Sequence, residues 1–131
     1  MTKIALATDK APGAIGPYSQ GTKSGELLFT SGQLPIDPAD GSMPEDVKAQ
    51  ARVALANVKA VVEAGGAKVA DILKVTMFLE DIADFKAINE VYAEFFADAT
   101  PYPARSAVQV AALPKPGAKV EIEAIAVVKI S

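Results

Sequence analysis

The sequence predicts one α+β domain in which two helices lie on one face of a mixed β-sheet. The chain has 131 residues, near the common size of a single domain, so we expect one domain over residues 1–131. Two segments repeat apolar residues at helical spacing, and at least four others alternate or cluster apolar and β-branched residues as strands do. Turn-forming Pro and Gly clusters separate these segments.

A hairpin is the first predicted element. Residues 26–30 read as a strand that ends at Ser31-Gly32, and residues 18–22 can pair with it across the Ser24-Gly25 turn.

Two helices follow from apolar periodicity. The spacing Ser42-Met-Pro-Glu45 resembles a capping box at the start of the first helix, and Gly65-Gly66 marks its end. Between them the apolar stripe consists of Val47, Ala51, Leu55, Val58 and Val62. Asp84 is the expected N-cap of the second helix, whose apolar stripe is Phe85, Ile88, Tyr92 and Phe95.

Three further strands are predicted, over residues 73–80, 104–111 and 119–129. The first places Leu73, Val75, Met77 and Leu79 on one face. In the last strand, residues of two faces alternate. One face has Val120, Ile122, Ala124, Ala126 and Val128, and the other has Glu121, Glu123, Ile125 and Val127. Because two helices cover only one face and Ile125 and Val127 are apolar, we expect the second face to contact neighbouring subunits.

Composition excludes several kinds of chemistry. The chain contains no cysteine and no histidine, which removes thiol nucleophiles, disulfides, thiolate metal sites and histidine-dependent hydrolysis. We therefore expect no metal site, and carboxylate, backbone, hydroxyl and arginine chemistry remain. The net charge of −3 and the pI near 4.9 disfavour nucleic acid as a partner. Apolar runs are too short to cross a membrane and no leader is evident, so we expect a soluble cytoplasmic protein.

Several polar features are candidates for a site: Tyr18 after Gly16-Pro17, Ser31-Gly32 at a strand end, Arg105 after Pro103, and the Glu121/Glu123 pair. Each alone has a structural explanation. Arg105 and the two glutamates fit the solvated side of strands, Ser31-Gly32 fits a turn, and Tyr18 fits a half-buried amphipathic residue.

Taken together, five ordered motifs resemble the RidA branch of the YjgF-type (Rid, reactive intermediate deaminase) family. They are GPYSQ at residues 16–20, FTSGQLP at 29–35, NEVYAEFF at 89–96, PARSAV at 103–108 and VEIEAIA at 120–126. The resemblance runs over residues 11–129. It implies a chorismate-mutase-like fold, assembled as a homotrimer with sites between subunits.

The resemblance also implies an activity: hydrolysis of enamines and imines released by pyridoxal-phosphate dehydratases, which yields 2-keto acids and ammonia and protects pyridoxal-phosphate enzymes. Arg105 matches the residue that holds the substrate carboxylate, and Glu121 matches the residue that orients water. Tyr18, Ser31 and Gly32 match residues that line the pocket. These matches imply a small imine substrate and no cofactor.

The chain departs from the family pattern at Ala107, a position where cysteine is frequent. No thiol can act there, although a backbone contact from Ala107 to substrate is compatible with the change. The resemblance leaves the preferred imine side chain open. The remaining motif residues, Asn89, Tyr92, Phe95 and Phe96, are assigned to helix packing and the subunit interface.

Two other classes of function fit parts of this pattern. A non-catalytic module could use Arg105 to bind a small carboxylate, but such a module would have no need of Glu121. An RNA-acting or chaperone-like protein is the second alternative; the acidic pI disfavours RNA, and exposed apolar surface after subunit dissociation would favour a chaperone.

Overall fold

A six-stranded mixed sheet runs through the structure, a computed structural model that describes residues 2–129. The strands are β1 (Ile4–Leu6), β2 (Gly21–Ser24), β3 (Leu27–Thr30), β4 (Ile72–Leu79), β5 (Ala104–Gln109) and β6 (Val120–Val127). The helices are α1 (Val47–Ala64) and α2 (Phe85–Phe95), and short 3₁₀ turns at Val69–Asp71 and Ile82–Asp84 precede β4 and α2.

The strand order is β1-β2-β3-β6-β4-β5. Strands β4 and β5 pair in parallel because α2 forms the crossover between them, and every other described pair is antiparallel. The predicted mixed sheet is therefore confirmed. β6 occupies a central position, with β3 on one side and β4 on the other.

The predicted hairpin is confirmed, but its first strand begins later than expected. β2 starts at Gly21, whereas residues 18–22 were predicted to be strand. The buried side chain of Gln20 explains the shift: its oxygen accepts from the Thr8 N–H, and its nitrogen donates to the carbonyls of Thr8, Ala11 and Pro12. These bonds hold the preceding residues in a loop. Strand β1 was not predicted because three residues give no usable periodicity.

Helix α1 has the predicted apolar stripe but not the predicted N-cap. The Asp46 carboxylate, rather than Ser42, caps the helix by accepting from the Ala49 N–H at 3.0 Å. The helix ends before Gly66, whose φ of +90° is readily adopted by glycine. Asp84 precedes α2 as predicted, although its side chain makes no capping hydrogen bond.

One residue of β4 was assigned to the wrong face. Leu73 was predicted to share a face with Val75, but Val75 is buried while Leu73 is 49% exposed, and Ile72 is buried instead. A register irregularity between Ile72 and Lys74, where β4 pairs with β6, breaks the alternation at this point.

The helices cover one face of the sheet, as predicted. From that face the alternating residues of β6 enter the core: Val120, Ile122, Ala124 and Ala126. The opposite face, here called the open face, carries apolar cross-strand pairs such as Phe29 opposite Ile125 and Leu27 opposite Val127. Phe29 and Leu27 are 45% and 44% exposed.

Asn57 ties α1 to the loop that follows β3. This buried side chain donates to the carbonyls of Leu34 and Ile36, at 3.0 and 2.9 Å. We expect Asn57→Ala to lower the free energy of unfolding by about 2 kcal/mol, because two carbonyls lose their donor. Chemical denaturation measures the change, with the exposed helix position Lys59→Ala as control. Equal stabilities for the two variants would contradict the assignment.

Candidate functional site

A cavity of about 670 Å³ opens on the open face of the sheet, at the end of β3 and the start of β6. It brings together five residues singled out from the sequence: Tyr18, Ser31, Gly32, Glu121 and Glu123. Phe78, Lys115 and several aliphatic side chains also line it.

The loop that carries Tyr18 is held by the four hydrogen bonds of Gln20 described above. Tyr18 itself is 52% exposed, and its N–H donates to the Gly16 carbonyl at 2.8 Å in a tight turn. The Ser31 hydroxyl donates to the Ser19 carbonyl at 2.6 Å, and the Ser31 N–H donates to the Gln20 carbonyl at 2.9 Å. These hydrogen bonds join the end of β3 to the loop that carries Tyr18.

The side chain of Glu121 places a carboxyl in this cavity. Partial burial raises the pKa of its carboxyl, and the neighbouring Glu123 carboxylate raises it further. A carboxylate with a raised pKa is a stronger proton acceptor than an ordinary surface glutamate. Such a group can act as a general base at neutral pH once it is ionised.

Arg105 lies elsewhere, on the edge strand β5. Its guanidinium carbon is 4.6 Å from the centre of the Tyr92 ring and 5.1 Å from that of Phe85, both on α2. Its Nη1 donates to Oδ1 of Asn89 at 2.6 Å. A second cavity, of about 390 Å³, is lined by these polar residues together with Tyr102.

The assignment of Asn89 and Tyr92 to helix packing and the subunit interface did not include their contacts with Arg105. Tyr92 is buried in the core, yet its ring also supports the guanidinium of Arg105, and Asn89 accepts a hydrogen bond from it. Their spacing from Phe85, at four and seven residues, places all three on one face of α2. That spacing was visible in the sequence, but nothing there indicated that β5 would lie against this face.

Ala107 shares the side of the sheet on which Arg105 lies. It pairs with Met77 of β4, is partly buried and packs against the core. A shallow depression beside it is bordered by Ile82, Phe85 and Arg105. Ala107 therefore belongs with Arg105 and does not line the cavity that contains Glu121.

Within one chain the sequence-predicted residues fall into two groups on opposite faces of the sheet. Arg105 pairs with Val75, whose side chain is buried beneath the helices, whereas Glu121 pairs with Phe78 on the open face. Directly paired residues project to the same side of a sheet. Arg105 and Ala107 thus face the helix side, and Glu121 faces the open side with Tyr18, Ser31 and Gly32.

Comparison with known proteins gives the family. Residues 8–128 match the family described as endoribonuclease L-PSP. The chain belongs to this family. It is 56% identical over 124 residues to the 2-iminobutanoate/2-iminopropanoate deaminase of Salmonella typhimurium, with 93% of this chain and 95% of that one covered. The deaminase of the same name from Escherichia coli K12 is also 56% identical over 124 residues, with the same coverage.

Solved structures of the family agree with the fold described above. A crystal structure of Escherichia coli TdcF with bound serine has a TM-score of 0.92 and 54% sequence identity, covering 96% of this chain and 99% of that one. The resemblance to the RidA branch is thereby confirmed. Over residues 2–129, no helix is long and apolar enough to cross a membrane, and no cluster of three or more acidic side chains has metal-binding geometry.

The raised pKa of Glu121 has a consequence for stability. The folded protein holds this proton more tightly than the unfolded chain, so stability falls as pH rises from the ordinary carboxyl pKa of 4.5 through the raised value. We expect Glu121→Gln to be more stable than wild type at pH 7 and to lose that advantage below pH 4.5.

Thermal denaturation at pH 7 and pH 4 measures this difference. Glu80→Gln, which changes an exposed carboxyl just after β4, is the matched control. A Glu121→Gln variant less stable than wild type at pH 7 would show that the ionised carboxylate is favourably bound.

Proposed function

We propose that this protein hydrolyses 2-imino acids and their enamine tautomers to 2-keto acids and ammonia. The substrates are 2-iminopropanoate and 2-iminobutanoate, formed when pyridoxal-phosphate dehydratases release 2-aminoacrylate and 2-aminocrotonate. The observation that supports this proposal most strongly is the raised pKa of Glu121, which lines an open cavity in a chain 56% identical to enzymes named for this reaction. Its removal of such intermediates would protect pyridoxal-phosphate enzymes in the cytoplasm.

Arg105 binds the substrate carboxylate in this proposal. A guanidinium offers five N–H donors in a planar fork that matches a carboxylate, and Lys cannot reproduce that geometry. Oδ1 of Asn89 accepts a hydrogen bond from Nη1, and the contacts with the rings of Tyr92 and Phe85 fix the plane of the guanidinium. The remaining N–H donors therefore point in a fixed direction. An arginine oriented in this way loses less rotamer entropy when a ligand binds.

Glu121 orients the attacking water and accepts its proton. The water oxygen bonds to the imine carbon, the C=N π electrons pass to nitrogen, and nitrogen takes the proton that Glu121 accepted, which gives a tetrahedral amino alcohol. The hydroxyl proton is then transferred to nitrogen and the C–N bond breaks, so that ammonia leaves and the hydroxyl oxygen becomes the keto oxygen. A positioned base contributes about 10²–10⁴-fold to such a step. Because the carbon is already electrophilic, one base and one carboxylate anchor are sufficient.

The remaining residues form the substrate pocket in this proposal. The Tyr18 ring forms one side of the pocket, and the hydroxyl and carbonyl groups of Ser31 form another. Gly32 lets the backbone approach the substrate. Ala107 contributes a backbone contact beside Arg105. The serine bound in the TdcF crystal structure is a small amino acid with a carboxylate, the chemical class that this pocket is proposed to accept.

A homotrimer is proposed because it completes the site. Arg105 and Glu121 lie on opposite faces of one sheet, so a substrate held by both needs Arg105 from one subunit and Glu121 with Tyr18 from its neighbour. The open face supports this assembly, since its apolar pairs are covered by nothing within the described chain. A cyclic arrangement would create three such sites.

The alternatives receive less support from the molecule. A carboxylate-binding module would have no use for a partly buried Glu121, whose ionisation opposes folding. Binding to RNA depends mainly on phosphate contacts, and the chain has a net charge of −3. A chaperone role would require the open face to be uncovered, which the proposed trimer prevents.

A coupled assay tests the activity. A pyridoxal-phosphate threonine dehydratase generates 2-aminocrotonate, and we follow formation of the 2-keto acid. Wild type should accelerate it; Arg105→Ala and Arg105→Lys should lower kcat/KM by about one to two orders of magnitude through loss of charge-assisted hydrogen bonds. Glu121→Gln should reduce kcat by at least about 10²-fold while still binding a 2-keto acid. Unchanged turnover in Glu121→Gln would remove its role as base.

Mixed assembly tests the composite site. Arg105→Ala and Glu121→Gln, each impaired alone to the extent given above, are co-expressed in equal amounts so that subunits mix at random. In a trimer whose sites combine the two residues from different subunits, about one site in four contains both native residues, so about a quarter of the wild-type activity should return. Activity no greater than the sum of the separate variants would show that each site lies within one subunit.

A further inference from the structure

We propose that Gly32 is a positioning residue for Glu121: it has no side chain because the Glu121 carboxyl occupies the place where its Cβ would lie. This inference rests on the proposed function in one respect, the role of Glu121 as base. It assigns Gly32 a duty in addition to the backbone contact with substrate proposed above. Gly32 acts through Glu121 and is not itself a catalytic residue.

The distances carry the proposal. A Cβ built on Gly32 would lie 2.8 Å from Cδ of Glu121, 3.1 Å from its Cγ and 3.1 Å from its Oε2. Carbon atoms that are not bonded approach favourably to about 3.5–4.0 Å, so the first of these distances is a clash. The carboxyl group therefore rests directly over the Gly32 backbone.

The backbone at Gly32 has little freedom to move away. On one side, the Ser31 N–H and hydroxyl bond to the carbonyls of Gln20 and Ser19. On the other side, Gln33 and Ile122 exchange two hydrogen bonds, with N···O distances of 2.7 and 3.1 Å. These two bonds join Gln33 to Ile122, the residue that follows Glu121. Both neighbours of Gly32 are thus fixed, Ser31 to the residues that precede β2 and Gln33 to β6.

Any added side chain would consequently displace Glu121 rather than the main chain. The clashing atoms belong to the far end of a flexible glutamate, which can rotate away at small cost in stability. The φ angle of Gly32 is not in the left-handed region, so alanine can adopt its backbone conformation. Alanine at this position should leave the fold intact and move the carboxyl away from its place in the cavity.

Gly32→Ala tests this inference, with Gly13→Ala as matched control because a Cβ on Gly13 meets nothing within 4 Å. We expect kcat for 2-aminocrotonate hydrolysis to fall by at least about 10-fold in Gly32→Ala, with KM little changed because Arg105 is untouched. Gly13→Ala should match wild type. Combining Gly32→Ala with Glu121→Gln should cost no more than Glu121→Gln alone, since the two changes disable one group.

Independent, additive losses in that double-mutant cycle would overturn the proposal and leave Gly32 with a backbone contact alone. A second readout does not depend on turnover: carboxyl-carbon NMR titration of Glu121. Because the displaced carboxyl becomes better hydrated, its pKa should move down toward the ordinary value in Gly32→Ala and remain raised in Gly13→Ala. An unchanged titration in Gly32→Ala would overturn the proposal.

These readouts separate the two proposals. If wild type fails to hydrolyse the imine, the proposed function is wrong, while the NMR titration still decides the contact between Gly32 and Glu121. If Gly32→Ala alone fails to fold, Gly32→Ala combined with Glu121→Ala should restore folding, because it removes all three crowded atoms. Failure of both variants to fold would overturn the assignment.

Discussion

The strict alternation of side chains along β6 is the constraint on which the rest of the molecule depends. Its even-numbered residues fill the core beneath the helices, and its odd-numbered residues, Glu121 and Glu123 among them, face the open side. β6 pairs with both β3 and β4, so its register is fixed from two directions. A slip of one residue would place the glutamates in the core. Packing of the core thereby sets the position of the proposed base.

The same alternation explains why one chain holds only half of the proposed site. In β5 the register with β4 directs Arg105 toward α2, and there Asn89 and two aromatic rings hold its guanidinium. A guanidinium fixed on one face cannot reach a carboxylate on the other, since the sheet and its core lie between them. The proposed trimer resolves this geometry, and the apolar pairs of the open face provide a surface for the contact.

Much of this fold could be predicted because periodicity reports which side of an element is buried. The helical stripe of α1 and the alternation of β6 were both read correctly from the sequence. Two of the errors occur where one residue changes the local geometry through a distant contact, whereas the N-cap of α1, Asp46, bonds a residue only three positions away. Gln20 holds its loop by hydrogen bonds to residues up to twelve positions away. The irregularity at Leu73 depends on how β4 pairs with β6. The site contacts of Asn89 likewise depend on how β5 docks, which no local pattern encodes.

The proposed base occupies a setting that opposes folding and favours chemistry. Partial burial and the neighbouring Glu123 both raise the pKa of Glu121, so ionisation of this carboxyl lowers the stability of the folded chain. Gly32 offers the carboxyl space against a backbone fixed on both sides. In the proposed mechanism, a single carboxylate of raised pKa and one fixed arginine supply what imine hydrolysis needs. That mechanism requires neither histidine nor cysteine, which this chain lacks.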